Sequence, residues 1–406
     1  MKSKTLYFVA GEVSADNHGA ALMRSLRELD SELKFLGRGG LQMKKIAGEQ
    51  FKNWIAEAAV LGLWEVLRKY GYFRQQFHET LQEIRSNRPN AVILIDYPGF
   101  NLRLAHALRR QAPRQKIIYY ISPQIWAWNR GRIKRMAQCV DLVLCIFPFE
   151  TDLYNEAGLR VTFVGHPMIE RLRARTIETQ RDSNLIGLFP GSRQREVRKI
   201  FPIMLGAARD LRKHNHNLRF EVAAASEQLA QEICKLLATE SPLPSTREHG
   251  RVTGRVQEAV IQVKIDETPA IMQRAWAGIV ASGSATLEAA YFRLPFALIY
   301  KVAWPTYLAA RLVVNVKYLG MPNLLADKEV IPEFIQHRAT PGAIVRALQP
   351  LIENANSRER MISEFDTIVP QLGGGGASDR AARAIIEELN EVRSADRAGG
   401  VEAAAP

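Results

Sequence analysis

One pattern constrains the fold of this chain more than any other: a short apolar run ends in a turn of small residues, and a helix-like segment follows. Leu6 to Ala10 leads into Gly11-Glu12-Val13-Ser14-Ala15-Asp16 and a helix-like segment from about His18 to Leu29. Ala91 to Ile95, Lys116 to Ile121, Asp141 to Phe147 and Val161 to Val164 continue the series. In the second half it recurs at Leu185 to Phe189, Arg219 to Ala224, Gly278 to Ala281 and, more weakly, Phe296 to Tyr300. Strands that alternate with helices build parallel sheets, so the chain reads as α/β. At 406 residues it is long for a single core, and two domains are expected.

The polar, arginine-rich stretch from Met168 to Ser183 lacks an apolar period and marks the boundary. The expected division is a first domain over residues 1–170, completed by the terminal helix at about 365–392, and a second over 171–364. The last helices are expected at Pro341 to Ile352 and Ser378 to Val392, joined through a four-glycine hinge, Gly373 to Gly376. That hinge permits the last helix to cross back onto the first domain or to swap into a second copy, which makes a homodimer an option. The alanine- and glycine-rich tail, 393–406, reads as disordered.

Several of the turns have the composition of binding sites. Pro190-Gly191-Ser192 follows a strand and opens a helix, a geometry that leaves N–H groups and the positive end of the helix dipole facing an anion. Arg193 adds a donor fork suited to phosphate oxygens. The same stretch is also what an ordinary βα turn looks like. Ser282-Gly283-Ser284 opens a second such turn, with Glu288 one helical turn beyond Ser284. In the first turn Glu12 and Asp16 repel phosphate and suit a sugar hydroxyl better. Asp96 stands at the carboxyl end of its strand, where ligands of open parallel sheets bind, and reads either as a turn cap or as a general base.

A net charge of +13 and a pI near 9.7 call for an anionic partner. No zinc-ligand pairing and no aromatic RNA-recognition motif is present, so nucleic acid is not expected. No stretch approaches the roughly 20 apolar residues of a spanning helix, and the run Leu6 to Ala10 is too short for a signal-peptide core. Cys139, Cys145 and Cys234 have no ligand-like spacing and read as reduced buried thiols of a cytoplasmic protein. Val60 to Phe73 is apolar and aromatic and includes Leu63, Trp64, Leu67, Arg68, Tyr72 and Phe73. It reads as a buried helix or as an amphipathic patch at a membrane surface. Ser122-Pro123-Gln124-Ile125-Trp126-Ala127-Trp128 precedes Arg130, Arg132, Lys134 and Arg135, either a solvated basic helix or a seat for a phosphorylated sugar or lipid headgroup.

These stretches, in order, resemble the lipid-A-disaccharide synthase family, glycosyltransferases of the two-Rossmann-domain GT-B type. The resemblance rests on the glycine turn at Gly11, IDYPGFN (Ile95 to Asn101), YISPQIWAW (Tyr120 to Trp128), FPFE (Phe147 to Glu150), GHP (Gly165 to Pro167), PGSRQRE (Pro190 to Glu196), SGSATLE (Ser282 to Glu288) and PNLLA (Pro322 to Ala326). It implies two Rossmann-like domains facing a cleft. It also implies inverting transfer of 2,3-diacylglucosamine from its UDP derivative to the 6-hydroxyl of 2,3-diacylglucosamine 1-phosphate, with no cofactor. The products are a β-1,6-linked disaccharide 1-phosphate and UDP. Both substrates are acylated anions, so the resemblance places the protein peripherally on the inner face of the inner membrane.

By the same resemblance Asp96 is the general base, and Arg193, Gly191 and Ser192 stabilise the departing UDP from the opposite wall. Ser282, Gly283 and Ser284 make a second phosphate contact, Glu288 accepts ribose hydroxyls and Asn323 lies on the donor side. Glu12, Ser14, Asp16, Asn101, Ser122, Gln124, Trp126 and His166 are cleft and acceptor candidates. No clustered acidic metal site is seen, so transfer without added metal is expected. Two positions depart from the family pattern: Ala15 stands where glycine is common, and Gly99 where aspartate is common, which removes a partner for Asp96. Another UDP-sugar transferase or a UDP-N-acetylglucosamine 2-epimerase would share the nucleotide turns but lack SPQIWAW. A non-enzymatic basic protein that binds RNA or membranes would leave the ordered motifs accidental.

Overall fold

The structure is a computed structural model. It describes residues 3–55, 70–123, 131–240, 246–248, 251–256, 259–304, 307–308 and 316–398, with side chains described at all of these except 70, 240, 246–248, 251–256, 259–260 and 392–398. The chain divides into two units, Met1–Pro167 with Leu372–Pro406, and Met168–Gln371.

The first unit is built on a seven-stranded parallel sheet: β1 (Thr5–Ala10), β2 (Lys34–Gly39), β3 (Lys52–Asn53), β4 (Ala91–Ile95), β5 (Ile117–Tyr120), β6 (Leu142–Cys145) and β7 (Val161–Phe163), in the order β3-β2-β1-β4-β5-β6-β7. Every residue of β4, β5 and β6 is buried, as expected where helices cover both faces and strands need no polar alternation. The last helix, Ala377–Ala398, packs on the helix Val13–Leu29, where Ser25 Oγ donates to Asp379 Oδ1 at 2.6 Å. Glu388, almost fully buried on that helix, pairs with Lys116 and with Arg160, the latter at 3.0 Å. Thus the end of the chain completes the unit at its beginning. The helix runs to Ala398.

The second unit carries eight strands, β8 (Asp182–Phe189), β9 (Arg219–Ala224), β10 (Thr246–Glu248), β11 (Arg251–Val256), β12 (Ala259–Ile265), β13 (Ala275–Ala281), β14 (Phe296–Tyr300) and β15 (Glu333–Ile335), in the order β10-β11-β12-β9-β8-β13-β14-β15. The strands from β12 to β15 in that order are parallel, and β10 and β11 add an antiparallel hairpin at the edge. The hairpin is a departure from the purely parallel sheet expected. So is a helix at Met168–Arg173 inside the presumed linker, where Met168, Ile169 and Leu172 are buried. β2, KFLGRG, was hidden from the apolar pattern by its glycines and by Arg38, which is fully buried and held by Glu83 at 2.9 Å.

Candidate active site

In the first unit the strand order reverses between β1 and β4, and ligands of open parallel sheets bind outside the carboxyl ends of strands at such a point. Ala10 pairs with Ile95, so the turns that leave the two strands, Gly11-Glu12 and Asp96-Tyr97, emerge side by side. Gly11 is required here, because a Cβ would stand 2.3 Å from the Tyr97 ring. Glu12 caps the helix Val13–Leu29 with extended backbone, and its exposed side chain makes no capping bond.

Asp96 and Tyr97 both adopt left-handed backbone, at φ 46° and 49°. Residues other than glycine hold that conformation where surrounding bonds impose it. The fully buried Asn101 donates through Nδ2 to the carbonyls of Asp96, at 2.8 Å, and Ile95, at 3.2 Å. Tyr119 donates its hydroxyl to the same Asp96 carbonyl, and the Asp96 N–H donates to the Tyr120 carbonyl at 3.1 Å. The main chain is clamped while the carboxylate is approached, among the described residues, by the Tyr97 N–H alone. Burial, and then the negative charge of Glu12, push the Asp96 carboxyl up to about 6 against that single favourable bond. Such a group can both take and hold a proton near neutral pH.

Other sequence candidates in this unit are turned inward. Asp16 is buried and accepts from the N–H groups of Gly40, Gln42 and Met43 at 2.9, 2.9 and 3.0 Å. It therefore caps the helix Leu41–Ala47, where a sugar hydroxyl was the expected partner. Ser122, also assigned to the acceptor, is buried and donates to Glu150 Oε1 at 2.8 Å, while Glu150 accepts from Phe147 N–H at 3.1 Å. The half-buried His166 ring packs against Phe147 with centroids 5.2 Å apart, and the His166 backbone N–H donates to the Leu372 carbonyl at 2.8 Å. GHP is thus the place where the returning chain is fastened. Ser14 is exposed in the first turn of its helix, and Tyr72 and Phe73 are half-buried with ring centroids 5.5 Å apart. Leu63, Trp64, Leu67, Arg68, Gln124 and Trp126 lie outside the described residues.

In the second unit the order reverses between β8 and β13, and Phe189 pairs with Val280. The turns Pro190-Gly191-Ser192 and Ser282-Gly283-Ser284 accordingly leave neighbouring strands at the same end. Gly191 has φ 102° and Gly283 φ 145°, both costly with a side chain. Arg193 is the N-cap of the helix Gln194–His214, so the backbone N–H groups that follow it have no intrahelical acceptor. Its side chain is 75% exposed and touches Glu196 at 3.0 Å. Such a surface pair costs little to rearrange around an incoming phosphate. Ser192, Gly283 and Ser284 are exposed and Ser282 half-buried.

Glu288 is mostly buried and already paired with Arg171 Nη2 at 2.6 Å through Oε1, so a ribose hydroxyl would share it with that arginine. Asn323, expected on the donor side, is held by the protein's own groups. Fully buried, it donates to the Ile331 carbonyl and to Glu333 at 2.8 Å, and accepts from Val330 N–H at 2.7 Å and Ile331 N–H at 2.9 Å. Every hydrogen-bonding site of the amide is occupied by the protein.

Sequence reasoning passed over Tyr119, Trp54 and Tyr300. Trp54 Nε1 donates to the Ala10 carbonyl at 2.7 Å and packs its ring on Tyr97 and Phe100, stiffening both turns. Tyr300 ends β14, and burial together with the charge of Glu196 raises its hydroxyl pKa, placing it in the field of the Arg193–Glu196 pair. The available signal was aromatic residues at the ends of strands, which serve cores just as often.

The chain matches the Lipid-A-disaccharide synthetase family over residues 6–373. It is 36% identical over 397 residues to a lipid-A-disaccharide synthase of Geobacter sulfurreducens, an alignment covering 96% of this chain and 98% of that protein. Among solved structures, a UDP-GlcNAc 2-epimerase from Neisseria meningitidis bound to UDP-GlcNAc superposes with a TM-score of 0.59 at 12% identity, covering 96% of this chain and 100% of that one. The calicheamicin glycosyltransferase CalG4 superposes with a TM-score of 0.55 at 13% identity, covering 97% and 100%. Those two likenesses speak for the fold, which is α/β with two Rossmann-like units of the GT-B type.

Proposed function

The chain belongs to the lipid-A-disaccharide synthase family, and on that premise we propose which residues carry its reaction. The activity is hexosyl transfer: 2,3-diacylglucosamine passes from UDP-2,3-diacylglucosamine to the 6-hydroxyl of 2,3-diacylglucosamine 1-phosphate. In our reading Asp96 is the general base. It takes the proton of the 6-hydroxyl as O6 forms a bond to the donor's anomeric carbon. The bond from that carbon to the diphosphate oxygen breaks, and its electron pair leaves with UDP, inverting the anomeric centre.

The observation that carries this reading is the treatment of Asp96: its carbonyl is held by Asn101 and Tyr119, while its carboxyl is raised to about 6 by burial and Glu12. Glu12 then supplies the second carboxylate whose absence at Gly99 left the base without a neighbour. Asn101 and Tyr119 are positioning residues, since they touch the Asp96 backbone and not the reacting atoms.

Arg193 and the N–H groups opening the helix Gln194–His214 stabilise charge that grows on the departing diphosphate, aided by Ser282, Gly283 and Ser284. Glu288 accepts a ribose hydroxyl beside Arg171. Among the described residues no helix is long and apolar enough to cross a membrane. The net charge of +13 supports peripheral contact with an anionic membrane surface, where both acylated substrates reside. The test is disaccharide formation by the purified protein from the two defined lipid substrates, compared with Asp96→Asn.

A further inference from the structure

Between the helices Pro98–Gln111 and Gly131–Ala137 of the first unit lies a cavity of about 250 Å³. Arg103, His106, Arg132 and Arg135 line it together with Gly99, and no carboxylate is among its lining residues. Arg103, His106 and Arg135 are exposed and Arg132 is half-buried, so the hollow is open to solvent on its cationic side. Neither Arg103 nor Arg135 has a carboxylate partner among the described residues. Arg109, farther along the same helix, is by contrast tied to Asp141 at 2.8 Å. Guanidinium groups gathered round a hollow repel one another, and an anion that enters between them relieves that repulsion. The N–H of Gly99, in the first turn of its helix, is one of the donors a helix leaves without an intrahelical acceptor.

The cavity is smaller than the roughly 300–1,000 Å³ of a pocket that swallows a whole ligand, and suits a single charged group with part of a ring. Resting on the transferase reading above, we propose that it seats the 1-phosphate of the acceptor sugar. Its wall begins at Pro98, two residues beyond Asp96, which puts that edge within about 7 Å of the base along the chain. In the acceptor the covalent path from O6 through the ring to phosphorus spans no more than about 9 Å at ordinary bond lengths. In this arrangement one sugar offers its 6-hydroxyl to Asp96 and its phosphate to the arginines. A phosphomonoester carries close to two negative charges near neutral pH and three acceptor oxygens, matching more than one guanidinium fork.

The experiment compares kcat/KM for 2,3-diacylglucosamine 1-phosphate and for the same acceptor without phosphate, in the full-length protein and in Arg103→Ala and Arg135→Ala. Each variant should lose about tenfold or more on the phosphorylated acceptor and less than about twofold on the other, with donor KM unchanged. Equal losses on both acceptors overturn the proposal while the unaltered protein's turnover leaves the transferase reading intact. An unaltered protein that makes no disaccharide overturns that reading instead. The cavity is then read by calorimetric titration with glucosamine 1-phosphate against glucosamine: phosphate-dependent binding lost in the variants supports it, and binding that persists overturns it. Sedimentation with phosphatidylglycerol vesicles separates the other source of phosphate. Variants that lose vesicle binding but keep full preference for the phosphorylated acceptor would assign the cavity to a lipid headgroup and overturn the proposal.

Discussion

Glu12 and Asp96 leave adjacent parallel strands at the same end, and after burial the charge of Glu12 is the larger influence holding the Asp96 carboxyl at about 6. Removing that charge lowers the Asp96 pKa, though burial keeps it above the ordinary carboxylate value. Asp96 works as a base only when deprotonated, so kcat/KM should fall on the acid side with a midpoint near 6. In Glu12→Gln that limb should move to lower pH. A pH profile from about 4.5 to 8.5 measures it, and an unmoved limb counts against the coupling.

Asp96→Asn should make the protein more stable at neutral pH while abolishing most activity. A carboxyl whose folded pKa is raised binds its proton more tightly in the folded state. Its contribution to stability is therefore lost as pH climbs from about 4 to about 6, and above that window the charged group costs about 1–3 kcal/mol. Asparagine imitates the protonated form and tolerates left-handed backbone. Urea denaturation of both proteins at pH 8 and pH 4 checks this: a gain at pH 8 that shrinks at pH 4 is expected.

Arg193→Ala should lower kcat by about 10²–10³ and leave stability within about 0.5 kcal/mol, because the side chain is exposed and its pair with Glu196 lies at the surface. A rise in donor KM with kcat unchanged would mean uniform binding and no role in the departure of UDP.

Asn323→Ala separates a structural role from a place in the donor site. The fully buried side chain satisfies Val330 N–H, Ile331 N–H and the Ile331 carbonyl, so its loss should cost about 2–4 kcal/mol. Thermal unfolding should show a clear drop, with donor KM of the remaining folded enzyme close to the original. A large KM change without loss of stability would restore Asn323 to the donor site.

Gly99→Asp should fold normally, with a stability change within about 0.5 kcal/mol, since no heavy atom lies within 4 Å of a Cβ at that position. Gly11→Ala should not, because its Cβ would meet the Tyr97 ring at 2.3 Å. Thermal unfolding of the two side by side distinguishes an open position from a close approach.

The strand-turn-helix succession made the parallel sheets legible because strands covered on both faces are written as unbroken apolar runs, as in AVILI at β4. Strands that mix charge with glycine were not legible. β2 contains Arg38, whose burial depends on Glu83 far along the chain, and β10 and β11 carry no continuous apolar run. At the site, the sequence located the turns but not the direction of each side chain. Asp16, Ser122 and Asn323 sit in motif positions yet are consumed by bonds to backbone or to buried carboxylates, which only the folded chain brings near. Glu12 was visible as an acidic residue in a turn, whereas its influence on Asp96 depends on the pairing of β1 with β4.

The most direct test is the rate of disaccharide and UDP formation from UDP-2,3-diacylglucosamine and 2,3-diacylglucosamine 1-phosphate, measured with saturating substrates for the full-length protein and for Asp96→Asn. With Asp96 as the base, turnover by the former is expected, and a loss of about 10²–10⁴ in kcat for the latter with donor KM little changed. An Asp96→Asn protein with full kcat would contradict it.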